Sequence, residues 1–143
     1  MASSESYNTL TAQLQNAIGA ARTAQKHAYA PYSGKFVGAA VLSRSGRVFA
    51  GCNVENEDDQ FRVCAERNAI AAAVGEGERD IVAIVVVSPD NRLWPPCVSC
   101  RRVIAELAPE AEIVMCNQDG AVQRAAFAGL RSTPFEPGGT GAA

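Results

Sequence analysis

Ile81-Val82-Ala83-Ile84-Val85-Val86-Val87-Ser88 is an unbroken apolar run. Its length and β-branched content predict a strand buried on both faces, and such a strand needs a layer of structure above and below it. Downstream, Pro95-Pro96 stops any strand and starts a helix over Cys97 to about Leu107. Glu112 to Cys116 reads as a second buried strand, Asn117-Gln118-Asp119-Gly120 as a turn, and Ala121 to about Ala125 as a last strand. So short a connection demands an antiparallel return, because a parallel one needs a crossover.

Upstream, Cys64 to Val74 is Ala-rich and helical, closed by Gly75 and Gly77. Asn53 to Arg62 is a polar, acidic loop. Phe36 to Ser43 and Arg47 to Cys52 flank Ser45-Gly46 and predict a hairpin. Leu10, Leu14, Ala17, Ile18 and Ala21 form the apolar stripe of a helix over Tyr7 to His27, broken by Ala30-Pro31-Tyr32-Ser33-Gly34. Met1 to about Ser6 reads as a frayed start, and the Pro/Gly-rich tail from Thr133 as loose. The order helix, hairpin, helix, strand, helix, strand, strand predicts an α/β fold: one domain over 1–143, ordered core about 7–131, a mixed five-stranded sheet between helical layers.

The 143 residues suffice for one real core, and with 48% hydrophobic and 20% charged residues the composition is that of a globular protein. The net charge is -2 and no Lys/Arg run stands out, which disfavours a nucleic-acid polymer as partner. No apolar run approaches membrane-spanning length, and five Cys without a disulfide-like spacing suggest a reduced, cytoplasmic protein with thiols free for metal.

The chemistry concentrates in Cys64-Ala65-Glu66-Arg67 and Pro96-Cys97-Val98-Ser99-Cys100. Three thiolates hold one zinc ion and leave its fourth corner open, whereas a structural zinc is normally closed by a fourth Cys or His. Both motifs fall at predicted helix N-termini, where the dipole and free N–H groups favour thiolate over thiol. Cys52 and Cys116 lack partner motifs and read as core thiols. Three thiolates on a divalent ion leave an excess negative charge; Arg67, with Arg101 and Arg102, are the candidates to offset it by hydrogen bonding to sulfur. With zinc supplying an activated water, Glu66 is placed to take the water proton, protonate a ring nitrogen and hand a proton to a departing amine. This is the general signature of zinc-dependent base deaminases. His27, the one His, ends the first helix and is not needed as a ligand. Trp94 either walls the pocket or belongs to the core.

These motifs, with Ala30-Pro31-Tyr32-Ser33, Val37-Gly38-Ala39-Ala40 and Gly51-Cys52-Asn53-Val54-Glu55-Asn56, resemble the cytidine deaminase family in its small, three-cysteine, homotetrameric branch. The resemblance covers about Tyr29 to Cys116. It implies a free aminopyrimidine nucleoside as substrate, one Zn2+ per subunit, a homotetramer and a place in pyrimidine salvage. It further implies that Asn53 and Glu55 hold the ribose 3′-hydroxyl, that the Ala65 backbone N–H meets the base 2-oxo group, and that the Pro95 carbonyl meets the exocyclic amine.

The chain departs from the family around the substrate. The family has Asn-x-Glu-Asn-Ala-x-Tyr in the loop; this chain has Glu57 for the small residue and Asp59 for the aromatic. Lys35 stands where the family carries an aromatic. Val98 replaces a Gly and Arg102 a Gln, and Leu130 to Phe135 matches a family segment only loosely. The acids Glu55, Glu57, Asp58 and Asp59 would repel a 5′-phosphate and attract a cation, unless they are a solvated loop with no substrate role. The expected reaction is cytidine or deoxycytidine to uridine or deoxyuridine. The alternatives are a cationic cytosine nucleoside such as blasticidin S, a non-enzymatic zinc module and, more weakly, folded RNA.

Overall fold

The computed structural model describes residues 3–130. The tail from Thr133 and most of the Leu130–Phe135 segment lie outside the described residues. One sheet runs through the molecule in the order β1 (Ser3–Ser6), β6 (Ala121–Ala126), β5 (Glu112–Cys116), β4 (Ile81–Val87), β2 (Gly38–Ser43), β3 (Val48–Cys52). All five expected strands are present. The segment read as a frayed start adds a sixth, short edge strand, pairing Ser3 with Arg124 and Ser6 with Ala121. Backbone pairing of this kind leaves no apolar signature in so polar a segment, so periodicity missed it.

β4 and β5 pair in parallel, in register from Ala83–Glu112 to Val87–Cys116, and every other pair is antiparallel. The crossover between them carries α3 (Val98–Leu107). The central strands alternate as the pleat requires. Ala83, Val85 and Val87 pack with Ala40, Leu42, Val114 and Cys116 under α1 (Ala12–Gln25), whose Leu14, Ala17, Ile18 and Ala21 are buried. Ile84, Val86, Val41, Ile113 and Met115 face the other way, against α2 (Ala65–Gly75) and α3. Each fully covered Val or Ile contributes about 1.5–3 kcal/mol, so the two cores hold the helices on their faces.

The first helix is shorter than expected. A 3-10 turn spans Tyr7–Thr9, and α1 starts only after Thr11, whose hydroxyl accepts the Leu14 N–H at 3.3 Å. His27 lies exposed beyond its end. A final short helix, α4 (Phe127–Leu130), seats Phe127 in the core. Among the described residues no helix is long and apolar enough to cross a membrane.

The direction of two strands decides where the chemistry sits. β3 and β4 are each antiparallel to β2, so they run the same way. The chain leaves both at one end of the sheet and enters α2 and α3, which share one face. The two helix N-termini, with Cys64 and Cys97 as their N-caps, therefore meet.

Candidate active site

Cys64 and Cys97 occupy N-cap positions with extended backbone, and Cys100 lies one turn into α3. The Cys64 and Cys97 sulfurs are 3.5 Å apart, those of Cys97 and Cys100 3.3 Å, and all three lie within 4.8 Å of one another. Zinc–sulfur bonds of about 2.3 Å in a tetrahedron set sulfurs about 3.8 Å apart, so an ion fits if the cluster opens by a few tenths of an ångström. The protonation pattern agrees. Contacts from Cys100 and Cys64 pull the Cys97 thiol far down; contacts with Cys64 and Cys97, and then burial, push Cys100 far up. Cys64 is drawn down by Cys100, but Cys97 and burial outweigh this and push it up to about 12. Three sulfurs converging this closely hold negative charge together only against a cation, and a zinc ion supplies one. Cys116 is a buried core thiol, as expected, and Cys52 is half-buried on β3.

Glu66, in the first turn of α2, is 2% exposed, and its Oε1 is buried without a hydrogen-bond partner. An orphaned carboxylate oxygen is costly to bury and marks a place where a further polar group belongs. Burial pushes its pKa up to about 7, and the negative Cys97 adds to that. Arg67 donates from Nη2 to the Arg62 carbonyl at 3.0 Å, while its Nε is buried and unpartnered. Arg101 Nε donates to the Pro96 carbonyl at 2.8 Å, and Arg102 is exposed. None of these observed bonds reaches a thiolate.

A cleft of about 300 Å³ opens onto the cluster, lined by Ser33, Lys35, Asn53, Val54, Glu55, Asp59, Arg62, Val63, Cys64, Arg67 and Ser99. It reaches the sulfurs through Cys64 and Ser99. Ala65 is fully buried behind it, with the free N–H of a first helical residue, and half-buried Pro95 precedes α3. A larger, shallow depression along α1, beside Gln13, Asn16 and Thr23, holds no thiol or carboxylate.

Asn53 and Glu55 reach the cleft already engaged. The buried Asn53 amide accepts the Val37 N–H at 2.8 Å and donates to the Lys35 carbonyl at 2.8 Å. Glu55 Oε1 accepts the N–H groups of Tyr32 and Ser33 at 3.0 and 3.1 Å, and Oε2 accepts the Ser33 hydroxyl. The pair fastens residues 32–37 as one wall of the cleft. Lys35 leans from that wall over Trp94, 5.6 Å from the ring centre. Trp94 itself is a core residue, 2% exposed.

The acidic loop does not make an acidic cleft. Asp58 caps its own turn, accepting the Gln60 N–H at 3.1 Å, and Asp59 pairs with Arg62 at 3.1 Å. Glu57 and Asp58 do not line the cleft; Lys35, Arg62 and Arg67 do, against Glu55 and Asp59. The expected pull of this loop on a cation is opposed by the basic side chains that folding brings to the same cleft. Arg62, which also stacks on Tyr32 at 5.4 Å, and Ser99 were not singled out by sequence; neither type carries a signal without the fold around it.

Comparison with known proteins agrees with this geometry. Residues 11–116 match the family described as cytidine and deoxycytidylate deaminase zinc-binding region. A cytidine deaminase of Halalkalibacterium halodurans is 44% identical over 110 residues, 76% of this chain and 83% of that one. The crystal structure of a cytidine deaminase from Burkholderia pseudomallei superposes with a TM-score of 0.80 at 40% identity, covering 88% of this chain and all of that one. A blasticidin-S deaminase of Bacillus cereus is 31% identical over 87 residues, 55% of this chain and 62% of that one. Three convergent sulfurs, a buried carboxylate beside them and the extent of these matches together place the chain in the cytidine and deoxycytidylate deaminase family of zinc-dependent hydrolases.

Proposed function

We propose that this chain, as one domain, hydrolyses the exocyclic amine of a free aminopyrimidine nucleoside, converting cytidine or deoxycytidine to uridine or deoxyuridine and ammonia. The observation that carries the reading is the buried Glu66 carboxylate, its Oε1 without a hydrogen-bond partner, beside the converging sulfurs of Cys64, Cys97 and Cys100, the first of which lines the cleft. Cys64, Cys97 and Cys100 are the zinc ligands. Zinc held there supplies the polarisation that makes water a nucleophile near neutral pH.

Glu66 takes a proton from the attacking water, delivers it to the ring nitrogen beside the reacting carbon, and then carries the second water proton to the amine as the C–N bond breaks. Its raised pKa suits both directions of transfer. The Ala65 N–H binds the 2-oxo group and the Pro95 carbonyl accepts from the amine. Asn53 and Glu55 act on the sugar with the donor and acceptor capacity left after they hold residues 32–37. Arg67 supports the site by charge from the second layer.

The Bacillus cereus likeness favours a second reading, a cationic cytosine nucleoside; Lys35, Arg62 and Arg67 in the cleft count against it. Exposed Tyr29, Tyr32, Val54 and Phe61, on elements that frame the cleft, support a homotetramer whose copies meet there. A cytoplasmic location fits five free thiols, and pyrimidine salvage fits the reaction. The test is ammonia release by zinc-replete protein over cytidine, deoxycytidine, their monophosphates and blasticidin S, with Glu66→Ala as blank. Turnover of blasticidin S but not cytidine selects the second reading, and turnover of none refutes the proposal.

A further inference from the structure

Ser99 sits between the two cysteines of the second motif, and its Oγ lies 3.2 Å from the Cys97 sulfur. The side chain is exposed and lines the cleft, so core packing does not account for it. Beside the cluster, Arg67 donates from Nη2 to the Arg62 carbonyl, and its Nε has no hydrogen-bond partner. A thiolate is an acceptor only, so between Ser99 and a metal-bound Cys97 the hydroxyl must be the donor.

We propose that Ser99 is a positioning residue for the metal, donating its hydroxyl proton to the Cys97 thiolate and so drawing off part of the negative charge that three thiolates leave on a bound zinc. The inference deepens the zinc-hydrolase reading and rests on it. Two effects follow. The hydrogen bond fixes the direction of the Cys97 sulfur and strengthens metal retention, since outer partners of metal ligands typically contribute 10–100-fold in affinity. It also makes Cys97 a weaker electron donor, leaving more of the metal's charge to act on water.

Zinc affinity of the full chain, Ser99→Ala and Ser99→Thr is measured by competition with a chromophoric chelator, and sulfur-to-metal charge-transfer bands are recorded on the cobalt-substituted proteins. The expected result is about tenfold weaker zinc binding in Ser99→Ala, with its cobalt bands shifted to lower energy, and wild-type values in Ser99→Thr, which keeps the hydroxyl. Equal affinity and bands in Ser99→Ala and wild type overturn the proposal. So does an equal loss in Ala and Thr variants, which would mean that shape at position 99, not the hydroxyl, matters. If the wild-type chain itself does not retain zinc, it is the underlying reading that fails.

Discussion

Asn53→Ala separates two roles that one side chain can play. The buried Asn53 amide accepts the N–H of Val37, a residue with no exposure, and donates to the carbonyl of Lys35. Truncation orphans the Val37 N–H in the core, at a cost of about 1–3 kcal/mol. The Lys35 carbonyl belongs to an exposed residue and regains water, so it adds little. The sum, about 1–3 kcal/mol, corresponds to a melting temperature lower by roughly 3–10 °C. The wall formed by residues 33–37 should loosen, and kcat/KM for cytidine should fall with it. The assay is thermal unfolding at fixed protein and zinc concentrations, beside steady-state kinetics. If kcat/KM collapses while the unfolding curve of Asn53→Ala overlays the wild type, the amide serves the substrate alone and the structural argument is wrong.

Glu66→Gln should retain zinc and the fold but lose about 10²–10⁴-fold in kcat; near-wild-type turnover would remove Glu66 from the chemistry. As a base Glu66 must be ionised, so the acid limb of kcat/KM should fall as pH drops below about 7, and a bound zinc cation moves that limb lower still. Gly51→Ala places a Cβ 2.6 Å from the Ala69 nitrogen and 2.9 Å from the Ala65 carbonyl oxygen, so α2 must move away from β3. About 1–3 kcal/mol of stability should be lost. Because α2 carries Glu66, kcat should drop by on the order of 10²-fold; unchanged kinetics would show that the helix start is insulated from this contact. Burial raises the Glu55 carboxyl, but bonds from Ser33 and Tyr32 and the Arg62 charge together outweigh it and hold the group below the usual carboxylate range. Its folded pKa lies below its unfolded one, so its stabilisation is present above about pH 4.3 and disappears as pH falls through the folded value. The acid side of the wild-type stability profile should therefore be steeper than that of Glu55→Gln, and parallel profiles would contradict this.

The strands and helices were legible because each carries a local signal. Ile81–Val87 is apolar on both faces, and α1 repeats its buried residues at helical spacing. The zinc ligands were legible because a CxxC at a helix start and a Cys two residues before a Glu are themselves the chemistry. Ser3–Ser6 was not, because its pairing is with the backbone edge of β6 and leaves no apolar period in the sequence.

The sequence by itself determined the layers and pointed to the three cysteines that converge and to the Glu beside them, since hydrophobic period and ligand type are local properties. Only the tertiary structure decided how the cleft is walled. β3 and β4 run the same way because both oppose β2, and that brings two helix N-termini 33 positions apart in sequence into sulfur contact. The same folding engages Asn53 and Glu55 with residues 32–37 and brings Arg62, which carries no signal of its own in the sequence, into the cleft beside Lys35 and Arg67. Hydrogen-bond partners and cleft charge are relations between segments distant along the chain, and no stretch of residues contains them alone.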